Sequence, residues 1–162
     1  MSVHEDQVIN PRGGENLYGH VHFKNRAVAI IPIDAIDNIW LVGQHRYTLE
    51  AYSWEIPMGG APLSEAPLVA AKRELKEETG MSANRWTEML ELHPSNSITD
   101  EVGFVYLAED LFCGETDFDE TEDLTIQKLP FEDALEMVDR NEITDAITIA
   151  ALLRLYRIRS LT

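Results

Sequence analysis

Apolar and polar positions divide the first half of the chain into predicted strands. Residues 26–34 form a nearly continuous apolar run rich in β-branched side chains, which predicts a buried strand. Residues 38–47 form a second run of this kind and are predicted to be its hairpin partner, across a turn at residues 34–37. An earlier strand is predicted at residues 18–23, after the turn-forming segment NPRGGEN.

The hydrophobic period changes to that of a helix after the two glycines of SWEIPMGG. Apolar residues recur at intervals of three and four across residues 68–75, which predicts an amphipathic helix beginning at Glu65 or Pro67. Ser64 is the predicted N-cap. Pro67 falls in the first helical turn, where its missing N–H has no helical partner to lose. Gly80 is the predicted C-terminal stop.

The second half of the chain mixes strands with helices. Strands are predicted at residues 86–92, 102–108 and 125–129, an acidic loop at 113–124, a helix opened by Pro130, and a last helix at 144–159. Strands followed by a helix, further strands and two helices are typical of an α+β domain or of a layered α/β/α domain. A chain of 162 residues is expected to form a single domain, residues 1–162, with a sizeable core.

Composition and charge narrow the classes of function. The sequence has no apolar run near 18 residues and no secretory signal at its N-terminus, so neither a membrane partner nor secretion is expected. The only cysteine, Cys113, has no disulfide partner within the chain, which favours a cytoplasmic setting. The net charge of −16 disfavours nucleic acid as a partner. A small anionic substrate requires a metal cation or placed arginines that locally invert this field.

The segment RELKEETG concentrates three carboxylates on the predicted helix. Glu74 and Glu78 lie four residues apart on one face, where like charges repel by roughly 0.2–0.5 kcal/mol, and Glu77 lies beside them. A divalent cation between them would turn this repulsion into attraction, and Mg²⁺ and Mn²⁺ prefer such hard oxygen ligands. The competing interpretation is a solvated helix face balanced by the neighbouring basic residues.

The spacing around these glutamates favours the metal interpretation. Gly59, Glu65, Arg73 and the following residues up to Met81 fill every position of the pattern Gly-x5-Glu-x7-Arg-Glu-U-x-Glu-Glu-x-Gly-U, where U is apolar. This pattern is the Nudix box, and the chain resembles a Nudix hydrolase. The resemblance implies an α+β fold with a mixed central sheet in an α/β/α sandwich, in which the box forms a loop–helix–loop.

The resemblance also implies a chemistry, the hydrolysis of a nucleoside diphosphate linked to another moiety with Mg²⁺ or Mn²⁺ as cofactor. The implied metal ligands are Glu74 and Glu78, with Glu77 close by and the backbone carbonyl of Met58 joining them. The implied catalytic set includes Glu77 and also Arg73, which holds a carboxylate in place. Gly60, next to Gly59, lets the backbone approach the substrate phosphates. Glu65 is left as either a metal ligand or a structural residue.

Segments outside the box point to a subfamily. The stretch VGQHRYTLEAYSWEIPMGG resembles the segment that precedes the box in ADP-ribose and nucleotide-sugar pyrophosphatases. By this resemblance Arg46 reaches the substrate phosphates, and Glu55 holds Arg46 or binds substrate. SNSITDE resembles a further subfamily segment, but Asn96 stands where ADP-ribose pyrophosphatases typically have proline. Other nucleoside diphosphate sugars, such as GDP-mannose, therefore stay open as substrates, with a nucleoside monophosphate and a sugar phosphate as products.

The acidic loop resembles the catalytic loop of the same subfamily. This alignment makes Glu120 the candidate general base and Glu122 a metal ligand or alternate base, with Glu101 as a weaker contender. EITDAITIAALL resembles a helix of that subfamily, and the N-terminal region, about residues 1–25, is implied to contribute to a homodimer. Two alternatives stay open: a nucleotide-sugar sensor without turnover, and a hydrolase of nucleoside triphosphates or dinucleoside polyphosphates.

Overall fold

The structure is a computed structural model that describes residues 1–113 and 124–161. Nine strands and three helices occur in these ranges. The strands are β1 (Ser2–Ile9), β2 (Glu15–His22), β3 (Asn25–Pro32), β4 (Asn38–Arg46), β5 (Ala51–Glu55), β6 (Met58–Pro62), β7 (Met81–Leu92), β8 (Gly103–Cys113) and β9 (Thr125–Pro130). The helices are α1 (Pro67–Thr79), α2 (Phe131–Asp139) and α3 (Ala146–Arg159).

The strands form three sheets. The central sheet has the order β6-β3-β8-β7 and is mixed, because β3 runs parallel to β8 while β3–β6 and β7–β8 are antiparallel. A second, antiparallel sheet has the order β5-β4-β9. Strands β1 and β2 form a separate two-stranded hairpin at the N-terminus.

Alternating side chains of β3 build the core on both faces of the central sheet. Val28 and Ile30 pack with Leu75 and other buried residues of α1 on one face. Ala29 and Ile31 face the other way, into a cluster that takes in buried residues of α2, α3, β4 and β9. The central sheet therefore lies between helical layers, as expected for an α/β/α sandwich, and the α+β fold class is confirmed.

The predicted pairing of the first two core strands is wrong. Residues 38–47 do form strand β4, but β4 pairs with β5 and β9, and its contact with β3 is reduced to an isolated bridge between Ile33 and Ile39. The turn itself forms where the sequence places it: Asp34 accepts hydrogen bonds from the N–H groups of Ile36 and Asn38, and Asp37 adopts φ 63°. The predicted turn at residues 34–37 is therefore confirmed. The sheet that β4 joins depends instead on packing between segments that are distant in sequence.

The boundaries of α1 differ in one respect from the prediction. The helix begins at Pro67 and its N-cap is Ala66, which makes no side-chain cap, so Ser64 is not the capping residue. Proline in the first turn compensates in part, because it removes an N–H that would otherwise lack a partner. Gly80 ends the helix as predicted, with φ 68° and its N–H bonded to the carbonyl of Lys76.

The remaining elements mostly extend the predicted ones. Strands β7 and β8 are longer than expected, and β1 pairs along its whole length with β2, which begins three residues before the predicted strand. The side chain of Asp145 caps α3 by accepting from the N–H of Thr148 at 2.7 Å. Among the helices of the described residues, none has the length and apolarity needed to cross a membrane.

Candidate active site

Strand β6 and helix α1 meet at Gly59 and Glu74. A Cβ atom on Gly59 would overlap the carboxylate of Glu74, so any other residue at this position would displace that side chain. At Gly60 an added Cβ would instead approach Asn25 Nδ2 at 3.2 Å, a contact that a small shift can relieve. The glycine of the box thus makes room for a carboxylate at the edge of the central sheet.

Arg73 connects the acidic side chains of the box. Its guanidinium donates to Glu74 Oε1 and Glu77 Oε2, both at 2.7 Å, and to the carbonyl of Gly60 at 2.9 Å. Glu65 Oε2 lies 3.4 Å from the same group. Burial alone would lower the pKa of Arg73, but the hydrogen bonds and charges of Glu74 and Glu77 raise it. The arginine is therefore a fixed positive charge that orients two of the predicted ligands.

Glu78 lies deeper than its neighbours. Its residue is 5% exposed, and its Oε2 accepts a hydrogen bond from the N–H of Met58 at 2.9 Å. A carboxylate this buried requires strong partners, because burying a charge without them is unfavourable. The predicted ligands Met58 and Glu78 are thus brought together across 20 residues of sequence.

The cluster suits a divalent cation by its chemistry. Carboxylate and carbonyl oxygens are the donors that hard cations prefer, and the missing side chain of Gly59 leaves the Glu74 carboxylate space beside the backbone. Within residues 1–113 and 124–161, no three acidic, histidine or cysteine side chains already converge as metal ligands. Arg73 contacts Glu74 and Glu77 in this arrangement, so ion binding requires adjustment of these side chains.

A cleft of about 690 Å³ opens beside this cluster, a size typical of sites for small ligands. It reaches from Met58 of the box to the start of α3 and is lined by Phe23, Arg46, Thr48, Leu49, Ser53, Glu55, Met58, Glu101, Thr144, Asp145 and Ala146. Three residues singled out from the sequence, Arg46, Glu55 and Glu101, lie on its walls together with Met58. The cleft therefore joins the box to the segment that precedes it.

Arg46 and Glu55 form a two-pronged ion pair in the cleft. Arg46 Nε donates to Glu55 Oε1 at 2.8 Å, and its NH2 group donates to Glu55 Oε2. Glu55 is 3% exposed, while the Arg46 side chain keeps 36% exposure. The hydrogen bond to Glu55 raises the pKa of Arg46 against the opposing effect of burial. Of the two roles expected for Glu55, holding Arg46 is the one that this geometry favours.

Glu101 lines the same cleft and is half-buried. Burial raises the pKa of its carboxyl, the direction expected for a group that exchanges protons near neutral pH. Thr144 and Asp145 also line the cleft, and sequence reasoning did not assign them to it. The signal available for Asp145 was its place as an acidic N-cap before an apolar helix, which predicts a cap and says nothing about a cleft.

Two of the residues predicted from the sequence lie in the acidic segment between β8 and β9. Glu120 and Glu122, the general-base candidates of the acidic loop, lie outside the described residues. The other predicted site residues are distributed over two adjoining groups. Arg73, Glu74, Glu77 and Gly60 form the box cluster, Arg46, Glu55 and Glu101 line the cleft, and Met58 belongs to both through its bond to Glu78.

Comparison with known proteins agrees with this fold. The sequence profile of the NUDIX domain matches residues 23–152, which is most of the chain. The protein belongs to the Nudix family and is a Nudix pyrophosphohydrolase that acts on a small nucleotide substrate. Nudix hydrolases generally depend on a divalent metal.

Particular relatives refine the family assignment. An ADP-ribose pyrophosphatase of Mycobacterium tuberculosis is 35% identical over 98% of this chain and 77% of its own length. An ADP-ribose pyrophosphatase of Bacillus subtilis is 37% identical over 78% of this chain and 69% of its own. A crystal structure of an ADP compounds hydrolase superposes with a TM-score of 0.86 at 25% identity, covering 96% of this chain and 84% of the other.

Proposed function

We propose that this enzyme hydrolyses the diphosphate bond of ADP-ribose or a closely related nucleoside diphosphate sugar, giving a nucleoside monophosphate and a sugar phosphate. The observation that carries the proposal is the Arg46–Glu55 pair, which stands in a cleft bordered by Met58 of the box. Such an arginine, held by a buried carboxylate, has the planar geometry suited to phosphate oxygens. The ADP-ribose pyrophosphatases among the relatives support the choice of substrate class.

Mg²⁺ or Mn²⁺ is the proposed cofactor, held by Glu74 and Glu78 with Glu77 and the carbonyl of Met58. When bound, such an ion polarises the diphosphate and lowers the pKa of water. Arg73 keeps Glu74 and Glu77 in fixed positions through its two 2.7 Å hydrogen bonds. Because Arg73 also donates to the carbonyl of Gly60, it ties the loop and helix of the box into one unit.

The cleft residues orient the substrate in this proposal. Arg46 donates to the phosphate oxygens while Glu55 prevents the guanidinium from rotating away. The cleft also excludes part of the surrounding water, which strengthens these charged contacts. Gly60 is proposed to let the backbone approach the substrate phosphates, because it has no side chain.

The general base is proposed to be one of three carboxylates. Glu120 and Glu122 are favoured by resemblance, and Glu101 is supported by its place on the cleft wall and its raised pKa. Glutamine variants at the three positions separate them through the pH dependence of kcat. Loss of the true base removes the acidic limb of the profile and lowers kcat by about 10²–10⁴-fold, whereas the other two variants retain that limb.

A product-resolved screen tests the proposed function. Purified protein with Mg²⁺ is incubated with ADP-ribose, GDP-mannose, nucleoside triphosphates, dinucleoside polyphosphates and 5′-triphosphorylated RNA, and the products are separated by chromatography. We expect a monophosphate and a sugar phosphate from the nucleotide sugars, and little RNA turnover because the chain carries a net charge of −16. Tight binding of a nucleotide sugar without turnover would instead identify a sensor.

A matched pair of variants tests the metal assignment. Glu78→Gln keeps the shape of a buried side chain but removes its charge, so we expect weaker Mn²⁺ binding and a large fall in kcat. Glu91→Gln, at an exposed position of β7, is the control and should behave as the wild type. Equal activity in the Glu78→Gln and wild-type enzymes would refute the assignment of Glu78.

We further propose a homodimer that involves the N-terminal hairpin, with residues 1–162 forming one domain in each copy. One face of the hairpin carries exposed apolar side chains, Val3 at 80%, Ile9 at 78% and Leu17 at 61% exposure. A lone two-stranded hairpin is marginally stable, so a covering partner would stabilise it. Sedimentation should show a dimer that Leu17→Asp dissociates and Ile36→Asp, at an exposed turn, leaves intact. A monomeric wild type would refute this.

A further inference from the structure

The N-terminal hairpin carries a histidine-rich face that the proposed function does not use. Directly opposed residues of an antiparallel ladder share a face, and the register of β1 and β2 opposes Ser2 to His22, His4 to His20 and Asp6 to Tyr18. Three of the five histidines of the chain therefore stand together on one side of the hairpin. The apolar side chains proposed for the dimer lie on the opposite side.

The three imidazole rings are close to one another. The ring centres of His4 and His20 are 5.2 Å apart, and those of His4 and His22 are 6.4 Å apart. Two imidazoles bound to one tetrahedral ion with Zn–N bonds of about 2.0–2.1 Å have ring centres about 5 Å apart. The separation of His4 and His20 therefore matches a shared ion, whereas the 6.4 Å between His4 and His22 exceeds it, so the ring of His4 would have to turn towards His22.

Each ring also has one nitrogen already engaged by a neighbouring side chain. His20 Nε2 lies 2.9 Å from Asp6 Oδ2, His22 Nδ1 lies 2.5 Å from Asp100 Oδ2, and His4 Nε2 lies 2.8 Å from Ser2 Oγ. A carboxylate only accepts, so Asp6 and Asp100 place the proton of a neutral ring on the nitrogen they contact. The second nitrogen of His20 and of His22 is then left with its lone pair, the arrangement found in carboxylate–histidine–metal sites.

We propose that His4, His20 and His22 form a second metal site, selective for an imidazole-binding ion of the zinc class. In the described residues no three side chains yet form a group that could hold an ion, and the rings of His4 and His20 are stacked at 16°. Binding therefore requires rotation of His4, which is exposed and contacts Ser2, while Asp6 and Asp100 continue to hold His20 and His22. Imidazole nitrogens distinguish this site from the oxygen cluster of the box.

The position of the site gives it a structural consequence. Asp100 binds His22, and its Oδ1 accepts from the N–H of Phe23 at 2.8 Å, so the hairpin is already attached to the segment before β8 here. Phe23 and Glu101, the sequence neighbours of this pair, line the substrate cleft. An ion held by His22 would therefore fasten the hairpin to the rim of the cleft.

Zinc binding is measured on the full chain in excess Mg²⁺, which occupies the oxygen cluster. Equilibrium dialysis with metal analysis should find one zinc ion per chain. His4→Gln and His20→Gln should each weaken zinc affinity by about tenfold or more, and Asp6→Asn by about 10–100-fold through loss of the ring's orientation. His45→Gln removes an exposed histidine of β4 outside the cluster and is the matched control.

A spectroscopic measurement checks that the rings themselves are the ligands. Co²⁺ added in place of zinc should give visible absorption bands that disappear in His4→Gln and His20→Gln and persist in His45→Gln. The substitutions lie on exposed or half-buried hairpin positions, and circular dichroism verifies that each variant is folded. Zinc content that is the same in the wild type and both cluster variants overturns the proposal, as does one ion per two chains, which would place the ion between molecules.

Discussion

Replacing Arg46 by methionine tests the energetic role of the ion pair in the cleft. The substitution keeps most of the apolar stem but leaves the Glu55 carboxylate, 3% exposed, without its two hydrogen bonds from the guanidinium. Breaking a buried ion pair costs about 3–5 kcal/mol, because the remaining charge is uncompensated. The Arg46 side chain is 36% exposed, so solvent screening lowers the expected loss to about 2–3 kcal/mol.

The assay is thermal and urea unfolding of the variant at neutral pH. For a chain of this size, a loss of about 2–3 kcal/mol lowers Tm by about 4–12 °C. The double variant Arg46→Met/Glu55→Gln no longer buries an unpaired charge and should recover most of the loss. Arg140→Met, which removes an exposed arginine from its surface ion pairs, should change Tm little. A double variant as unstable as the single one would refute the reasoning, because the loss would then not arise from an uncompensated charge.

Two further predictions concern Gly59 of the box and Asp34 in the turn between β3 and β4. In Gly59→Ala the new Cβ displaces the Glu74 carboxylate. The Mn²⁺ affinity, measured by electron paramagnetic resonance, should therefore fall by about 10–100-fold. A fall of equal size in Gly60→Ala would argue against this cause. Burial would raise the pKa of Asp34, but hydrogen bonds from Lys128 and Asn38 hold it well below the ordinary value of 3.8. Above pH 3.8 the free energy of unfolding measured in urea should therefore be larger for the wild type than for Asp34→Asn. This difference should disappear as the pH falls through the depressed pKa of Asp34. A difference that stays constant down to strong acid would contradict the prediction.

Local patterns predicted the individual elements well. The apolar period of three and four, the proline in the first turn and Gly80 located α1, which begins at Pro67, one of the two predicted starts. The contact between Arg73 and Glu77 is local in the same way, since residues four apart lie on one face of a helix and can meet. The position of α1 and the Arg73–Glu77 contact can be predicted because they depend on residues close together in sequence, through short-range sterics and hydrogen bonding.

Contacts between distant segments could not be read in the same way. The alternation of residues 38–47 identified a strand, but its partners are β5 and β9, because strand pairing depends on which faces are covered in the finished core. The Ser64 cap failed because the helix begins at Pro67, which puts Ala66 and not Ser64 at the N-cap position. A side chain able to cap does so only if the chain enters the helix from the right direction.

The sequence by itself determined a helix with carboxylates at fixed spacing, preceded by a glycine and accompanied by an arginine in the pattern of the Nudix box. Only the tertiary structure decided which further groups join them, bringing Glu101 and Asp145 to the cleft of Arg46 and assembling three histidines on one face of the hairpin. The physical reason is the distance along the sequence between the residues that meet. Helical neighbours are set by a rise of 1.5 Å per residue, whereas residues far apart in sequence meet only where burial of apolar surface folds the sheets together.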